Sequence, residues 1–296
     1  MSSFQFTALG TAWSITIDQA DSVQEVPQSL WKSVVDRTAE FERRFSRFKD
    51  GSETRAFLKK AAGTHSISTE MCDLLSIADR LRTLTDGAYD PAVGGLLEAA
   101  GYNKDYRLKP DEQQLHDWHI PTWSLDQKKK QVTIDGPLLF DFGGMGKGYW
   151  IDQLSNFLLV SGYPYHLVEG GGDMFATTKA SGQSWKIAIE YPGQQDQALG
   201  TYQLSNQGFA ASDVFRRKWG KWHHFVDVSQ NQPTQHLVGC VAVATTAWKA
   251  DQITSVLALC QPVKFAQIVG QIGGEYVVLL ANGEARVSSN WKGQLF

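Results

Sequence analysis

The sequence has few cysteines and no long apolar run, and both absences limit the kind of protein it encodes. Its three cysteines, Cys72, Cys240 and Cys260, are never spaced as C-x-x-C, and each lies in an apolar segment. This pattern indicates buried, reduced thiols and argues against zinc ligands or a disulfide framework. No run of about 18 apolar residues occurs, so no segment has the length of a transmembrane helix.

A strong charge of one sign is also missing. The formal net charge is -3, which gives no electrostatic reason to expect nucleic acid or an anionic membrane as the main partner. The opening residues Met1–Phe6 have no basic start and no apolar core of signal-peptide length. These features predict a cytoplasmic protein without membrane insertion, whose partners are small ligands or other proteins.

The length of 296 residues, with 42% hydrophobic and 11% aromatic residues, is typical of a soluble globular protein with a sizeable core. No internal repeat and no low-complexity linker is visible. We therefore predict a single α+β domain over residues 1–296, with two lobes that share a cleft. A polar run with Pro110 predicts a surface insertion at about 103–124, with a short helix from Asp111 onward.

Hydrophobic periodicity predicts the main elements. An opening strand is expected over Phe4–Ile17, followed by a helix over 28–45 and by a second helix that begins after Ser68 or Thr69 and is ended by Thr85-Asp86-Gly87. After residue 130 strands dominate, and the expected ones are Val132–Ile134, Leu138–Asp141, Tyr165–Glu169, Trp185–Tyr191, Leu199–Leu204, His223–Val228 and Val238–Ala244. Helices over about 247–260 and 263–272 precede a final hairpin, Tyr276–Leu280 and Ala285–Val287, with Asn282-Gly283 at its turn.

The most informative segment is the glycine-rich stretch from Asp141 to Gly148, which a helix over about 150–158 follows. Glycines let backbone N–H groups approach a ligand closely, and a helix N-terminus adds partial positive charge, so the segment favours an anion such as phosphate. It is not a P-loop, because Asp141 and Gly148 occupy places where that motif needs Gly and Ser or Thr. A tight strand-to-helix turn without a ligand is the alternative, and Asp141 would repel a bare phosphate unless Lys147 or a metal offsets its charge.

The helix over about 247–260 carries a candidate metal site. Asp251, Thr254 and Ser255 are spaced i, i+3 and i+4, so their oxygens fall on one patch of the helix. A carboxylate with hydroxyls, and no His or thiolate, favours a hard cation such as Mg²⁺. The alternative is a solvated Asp beside two hydroxyls that bond back to the helix.

Seven short motifs in this order resemble the FAD:protein FMN transferases, the ApbE family, over nearly the whole chain. They are Leu9-Gly10-Thr11, Phe45–Phe48 with Gly51-Ser52-Glu53, Thr85–Pro91, Asp141–Gly148, Glu169–Asp173, His224–Asp227 and Ala250–Ser255. The resemblance implies an α+β fold whose core, an antiparallel sheet with helices, is related to the tunnelling fold. It also implies an enzyme that binds FAD with Mg²⁺, transfers FMN to a Thr or Ser hydroxyl of an acceptor flavoprotein, and releases AMP.

The resemblance also assigns site residues by position. FAD would contact Leu9, Phe48, Ala88, Tyr89, Asp90, Asp141, Lys147 and Val226. The metal would be held by a backbone oxygen at Gly144, by Asp251, and by Thr254 or Ser255. His224 matches the family's histidine near the reacting phosphate.

Physical chemistry gives these residues roles. Lys147 and Mg²⁺ can neutralise the charge that develops when a pyrophosphate is split. His224, or Asp90 or Asp227, is expected to accept the proton of the attacking hydroxyl. Glu169 and Asp173, which flank three glycines, are compatible with a simple turn.

The sequence departs from the family pattern at two places. Ala211-Ser212-Asp213 replaces the usual Thr-Ser-Gly, and Val228 follows Asp227 where the family usually has Pro. Metal and FAD binding are expected to be retained, whereas acceptor docking is left open. Two alternatives therefore stand beside the transferase: a hydrolase that splits FAD into FMN and AMP, and a protein that binds FAD without catalysis.

Overall fold

The computed structural model describes residues 1–19 and 25–296. Its helices are α1 (Gln28–Phe45), α2 (Glu53–Ala56), α3 (Thr69–Leu84), α4 (Gly94–Ala99), α5 (Glu112–Asp117), α6 (Gly146–Val160), α7 (Ala247–Leu259) and α8 (Phe265–Ile272). Short 3₁₀ turns lie at Phe57–Lys59, Pro91–Val93 and Pro262–Lys264. No described helix is both long and apolar enough to cross a membrane.

The strands are β1 (Ser2–Ala8), β2 (Thr11–Ile17), β3 (Gly63–Ser66), β4 (Trp123–Asp126), β5 (Gln131–Ile134), β6 (His166–Gly170), β7 (Asp173–Ala176), β8 (Trp185–Tyr191), β9 (Gln194–Leu204), β10 (Gln207–Asp213), β11 (Lys218–Trp219), β12 (Trp222–His223), β13 (Val226–Asp227), β14 (Gln232–Pro233), β15 (Leu237–Ala244), β16 (Gly274–Leu280), β17 (Ala285–Val287) and β18 (Gln294–Leu295). The predicted α+β class is confirmed.

The chain divides into two compact units. The first unit comprises residues 1–39, 145–216 and 235–296, and the second comprises 40–144 and 217–234. The single domain predicted over 1–296 remains a prediction. In the predicted insertion, α5 begins after Asp111 as expected, and Asp111 caps it by accepting a hydrogen bond from the Gln114 N–H.

An eight-stranded sheet in the order β1-β2-β6-β7-β10-β15-β16-β17 forms the first unit, and every neighbouring pair in it is antiparallel. A three-stranded sheet, β18-β9-β8, belongs to the same unit. Buried side chains of both sheets form one core cluster that includes Trp185, Tyr202, Phe209, Val241 and Val277. Helices α6 and α7 also belong to this unit, and α7 packs against β15 and β10.

The second unit has a smaller core. Its three-stranded sheet runs β3-β5-β4, and an aromatic cluster of Tyr102, Trp219 and Trp222 packs with Leu97 and Val226. The indole N–H of Trp219 donates to the Ala100 carbonyl at 2.7 Å. This bond ties the late segment 217–234 to the α4 region of the unit.

Three predicted strands were wrong in form. The opening strand is a hairpin, because Leu9 and Gly10 both have positive φ and turn the chain between β1 and β2. The segment Leu138–Asp141, of which Leu138–Phe140 are buried, joins no sheet. Its backbone bonds to Phe57, Gly94 and Pro91 in irregular positions. The segment His223–Val228 contains only the end of β12, which pairs with β11, and the two-residue strand β13, which pairs with β14.

Candidate functional site

Lys147 is the second residue of α6, and its ammonium group forms an ion pair with Asp173 of β7. Asp173 is fully buried, with 0% of its surface exposed, and its carboxylate also accepts a hydrogen bond from the Ala211 N–H at 3.3 Å. A buried carboxylate requires such partners, because burial removes its hydration. Asp173 is therefore more than the turn residue that the sequence suggested.

Helices α6 and α7 exchange hydrogen bonds at their N-terminal ends. The Gly148 N–H in the first turn of α6 donates to Asp251 Oδ2 of α7 at 3.0 Å. In return, Asp152 of α6 accepts from the N–H groups of Ala247 and Trp248 at 2.9 and 3.0 Å. Each helix thus supplies a carboxylate to the unsatisfied N–H groups of the other, which is favourable for both helix dipoles.

A glycine is required where the two helices meet. A Cβ at Gly148 would lie 2.6 Å from the Ala247 carbonyl oxygen and 2.7 Å from the Trp248 Cα, both backbone atoms. Gly208 of β10 is equally tight, with a Cβ position 2.3 Å from the Ala247 backbone nitrogen. The glycines therefore allow the start of α7 to lie directly against α6 and β10.

The predicted metal ligands of α7 form a buried oxygen-rich patch. Asp251, Thr254 and Ser255 are 3%, 1% and 2% exposed, which rules out the alternative of a solvated aspartate. The Thr254 hydroxyl donates to the Asp251 carbonyl at 2.9 Å and is paired with the Ser212 hydroxyl of β10 at 3.2 Å. The donors are oxygens alone, as a hard cation prefers.

A buried cysteine thiol also contacts this patch. Cys240 Sγ donates to the Thr254 carbonyl at 3.7 Å, and burial raises the pKa of this thiol far above neutral pH. In residues 1–19 and 25–296, no group of three or more His, Cys, Asp or Glu side chains could hold a metal, so the predicted set depends on one carboxylate with hydroxyl and carbonyl oxygens.

A cavity of about 950 Å³ opens within the first unit. Its wall includes Thr11, Gly171, Gly172, Ser212 and Asp213. Ser212 is the residue whose hydroxyl contacts Thr254, so one wall of the cavity reaches the oxygen-rich patch. The volume is in the range of small-molecule sites.

Asp213 stands where the family usually has Gly, and it adds a negative charge. Its carboxylate forms hydrogen bonds within the turn that follows it. Its carboxylate accepts from the N–H groups of Phe215 and Arg216 at 2.7 and 2.9 Å and pairs with the Arg216 guanidinium at 3.3 Å. Its negative charge is therefore partly neutralised locally.

In the second unit, Asp141 is held at the start of the glycine-rich segment. Arg47 Nε donates to Asp141 Oδ2, and the Gly143 N–H donates to Oδ1 at 2.6 Å. The half-buried Phe48 ring packs near-parallel to Tyr106, with centroids 5.6 Å apart. The Arg47 guanidinium carbon lies 4.1 Å from the Phe48 ring centroid, so Arg47 contacts two residues that the family resemblance assigned to FAD.

The predicted residues Ala88, Tyr89 and Asp90 are buried in the second unit. Asp90 Oδ1 accepts from the Ala92 N–H at 2.8 Å and from the Trp123 indole at 2.9 Å, and Oδ2 lies 3.7 Å from Arg82. Burial raises the pKa of Asp90, and these hydrogen bonds oppose the rise. Both oxygens therefore have structural partners, and a role for Asp90 as a base remains a prediction.

His224 and Val226 lie on the late segment of the same unit. The half-buried His224 ring packs against Phe225 with centroids 4.0 Å apart, whereas the neighbouring His223 is buried and contacts the Thr234 carbonyl through Nε2 at 2.7 Å. Burial lowers the pKa of His223, which indicates a neutral structural histidine. Val226 is buried in the aromatic cluster.

Residues 9–279 match the ApbE family. This range covers most of the 296 residues. The chain belongs to the ApbE family. Among its relatives is the FAD:protein FMN transferase of Klebsiella pneumoniae (strain 342), which is 27% identical over 294 aligned positions that span 93% of this chain and 83% of the relative. The enzyme of the same name from Salmonella typhimurium (strain LT2) is 26% identical, with the same coverage.

Solved structures of ApbE proteins share the fold. The ApbE protein of Thermotoga maritima superposes with a TM-score of 0.84 at 23% identity and covers 97% of both chains. The apo flavinyl transferase ApbE of Pseudomonas stutzeri gives a TM-score of 0.81 at 19% identity, covering 97% of this chain and 95% of the other. The predicted ApbE-like architecture is therefore confirmed.

Within this ApbE fold, the predicted site residues fall into separate groups. In the first unit, Lys147 lies at the N-terminal end of α6, Asp251, Thr254 and Ser255 lie in the middle of α7, and Leu9 lies at the β1–β2 turn. The second unit contains Phe48, Ala88, Tyr89, Asp90, Asp141, Gly144, His224 and Val226. Within that unit, the Ala88 carbonyl accepts from the Val228 N–H at 3.2 Å, beside Val226.

Sequence reasoning gave no role to Arg47, Asp152 or Asp173, although each contacts a predicted site residue or its helix. Arg47 lies inside the Phe45–Phe48 motif, and Asp173 ends the Glu169–Asp173 motif. Their charge within an apolar motif (Arg47) and a glycine-rich motif (Asp173) was the signal that could have pointed to a role in the site. Asp152 had no signal beyond its place on a predominantly apolar helix.

Proposed function

We propose that this protein is a Mg²⁺-dependent FAD:protein FMN transferase. In the reaction, a Thr or Ser hydroxyl of an acceptor flavoprotein attacks the phosphorus on the FMN side of the FAD pyrophosphate. The new bond is a phosphoester, the bond from that phosphorus to the bridging oxygen breaks, and AMP leaves. The family match supports the reaction class, and the relatives named for this activity are similar over most of their length.

One observation within the chain carries the proposal most directly. The buried carboxylate of Asp251 lies within hydrogen-bond distance of the turn that bears Lys147. A single hydrogen bond thus links the first turn of α6, which carries the Lys147 ammonium, to the oxygen-rich patch in the middle of α7. Both groups suit a diphosphate. When bound, Mg²⁺ would supply charge neutralisation for the leaving phosphate.

The metal would be held by Asp251 with Thr254 or Ser255, and by a backbone oxygen at Gly144. The buried oxygen donors fit this ion. Lys147 would exchange part of its pairing with Asp173 for contact with a phosphate oxygen, so that its charge offsets that of the departing AMP. The N-terminus of α6 favours the same anion.

FAD recognition is assigned to Leu9, Phe48, Ala88, Tyr89, Asp90, Asp141 and Val226, in addition to Lys147. Asp141 is an acceptor that suits ribose hydroxyls or the adenine amino group. His224 would take the proton of the attacking hydroxyl, a step worth about 10²–10⁴ in rate. Asp90 and Asp227 are the other candidates, but the carboxylates of both already accept local hydrogen bonds.

The deciding experiment combines pure protein, FAD, Mg²⁺ and a candidate acceptor, and measures AMP together with the mass of the acceptor. AMP and an acceptor heavier by FMN support the transferase, and an acceptor with its hydroxyl residue changed to Ala should stay unmodified. AMP with free FMN and an unmodified acceptor would instead identify a hydrolase. Bound FAD without AMP would identify a protein that only stores the dinucleotide.

A further inference from the structure

Arg47 is the most deeply buried arginine that contacts the predicted FAD residues of the second unit. It is 2% exposed, its Nε donates to Asp141 Oδ2, and its guanidinium carbon lies 4.1 Å from the centroid of the Phe48 ring and 4.9 Å from that of Tyr102. One buried cation therefore contacts two residues that are predicted to bind FAD: Asp141, a hydrogen-bond acceptor, and Phe48, an aromatic ring.

The guanidinium is not fully satisfied by the fold. Nη1 and Nη2 are buried and have no hydrogen-bond partner in the described parts of the chain, and Nη1 lies 4.0 Å from the Glu98 carboxylate, beyond hydrogen-bond distance. Buried polar atoms without partners are uncommon and costly. These two amino groups make Arg47 a candidate for a role beyond stabilising the fold.

The arginine is also fixed along its main chain. Its carbonyl accepts from Arg55 Nη1 at 2.8 Å, and the same Nη1 lies 2.7 Å from Glu98. With the backbone fixed by Arg55 and the side chain fixed by Asp141, Arg47 has little rotamer freedom. It can therefore transmit a defined orientation to the groups that it touches.

We propose that Arg47 is a positioning residue for FAD recognition, which it serves by orienting the Asp141 carboxylate and the Phe48 ring. Arg47 and the Gly143 N–H each occupy one carboxylate oxygen of Asp141, so the remaining lone pairs point in fixed directions. A pre-oriented acceptor binds its ligand with a smaller loss of freedom. This inference rests on the proposed function, because it assumes that FAD is the ligand.

The test compares Arg47→Lys with Arg44→Lys. Arg44 is a matched control: it lies three residues earlier, is partly buried, and bonds Glu53 at 2.7 Å and Glu70 at 2.5 Å, neither of which is a predicted FAD contact. Lysine keeps each charge but loses the planar guanidinium. We expect Arg47→Lys to raise the FAD dissociation constant and KM at least about tenfold, with kcat changed less than about threefold. Arg44→Lys should leave both near wild type.

A double-mutant cycle with Asp141→Asn tests the route of the effect. If Arg47 acts through Asp141, the double variant should bind FAD about as weakly as Asp141→Asn alone. If the loss of FAD affinity in the double variant is instead the product of the losses in the two single variants, the two residues act independently and the inference is overturned. Thermal unfolding of each variant is measured in parallel, and if Asp141→Asn fails to fold, the comparison of Arg47→Lys with Arg44→Lys decides alone.

The outcomes separate the inference from the proposed function. A wild-type protein that binds FAD and transfers FMN, with Arg47→Lys indistinguishable from Arg44→Lys in FAD affinity, would overturn the positioning role and leave the transferase intact. A wild-type protein that binds no FAD would overturn both.

Discussion

Asp251 Oδ2 accepts a hydrogen bond from the Gly148 N–H at 3.0 Å, although the two residues lie far apart in the sequence. The bond places a buried carboxylate at the first turn of α6, next to Lys147. Asp152 makes the reciprocal bonds to the start of α7. One aspartate of this pair is a predicted metal ligand and the other is not, which makes them a natural comparison.

Asp251→Asn should abolish most Mg²⁺-dependent turnover, by about 100-fold or more, because an amide lacks the charge that a hard cation requires. The amide oxygen can still accept from Gly148, so the fold should persist. Asp152→Asn is the matched control and should change turnover less than about threefold. AMP release is measured across a Mg²⁺ titration, and full activity of Asp251→Asn that EDTA still inhibits would place the metal elsewhere.

Gly148→Ala should lower the free energy of unfolding by about 1–3 kcal/mol, because its Cβ would overlap backbone atoms of Ala247 and Trp248. Gly270→Ala is the control, since Gly270 lies in α8 with nothing within 4 Å of its Cβ position. That change should stabilise the helix by about 0.5–1 kcal/mol. Urea unfolding of both variants provides the comparison, and equal stabilities would contradict the close approach of α6 and α7.

Asp152 should make stability fall as pH rises from about 4 to about 6. Burial raises the pKa of Asp152 from 3.8 to about 6, and the hydrogen bonds from Trp248 and Ala247 partly oppose this rise. In that window the folded protein holds the proton more tightly than the unfolded chain does, so ionisation destabilises the fold, by at most about 3 kcal/mol.

The measurement for Asp152 is the free energy of unfolding of wild type and Asp152→Asn at several pH values. The variant cannot ionise at this position, so its stability relative to wild type should increase between pH 4 and pH 6 and stay constant above. A difference that does not vary with pH would show that the carboxyl has an ordinary pKa.

His224→Ala should reduce kcat by about 10²–10⁴ while changing the FAD dissociation constant little, because a general base acts in the chemical step. His116→Ala is the control, since the His116 side chain is largely exposed on α5. Single-turnover rates and FAD titrations separate the two effects. A large loss of FAD affinity at an unchanged rate would assign His224 to binding.

Sequence periodicity and caps predicted the long helices well. Ser68, one of two predicted caps, accepts from the Met71 N–H at the start of α3. Thr246, which was not predicted as a cap, accepts from the Lys249 N–H at the start of α7. The central strand β10 was missed, because Gly208, Ala210 and Ala211 give it little hydrophobic alternation. Its glycine is selected by the approach of α7, a tertiary constraint that a single sequence does not display. Leu138–Phe140 were correctly predicted as buried, yet burial alone does not create sheet pairing.

The candidate site was predictable only in part. Helical spacing gave the oxygen patch of Asp251, Thr254 and Ser255, but its burial depends on the packing of α7 against β10 and β15. The contacts Arg47–Asp141 and Lys147–Asp173 join residues that are distant in the sequence. No local pattern specifies such pairs, since they follow from topology.

Strand β2 pairs with β6, so the N-terminal hairpin completes its sheet with a segment that lies about half the chain further on. During synthesis, β2 therefore has no β6 to pair with until more than a hundred further residues have left the ribosome. Pairings of such long range slow folding and leave an edge open to other chains. Early refolding intermediates of this protein are accordingly expected to be prone to aggregation at this hairpin.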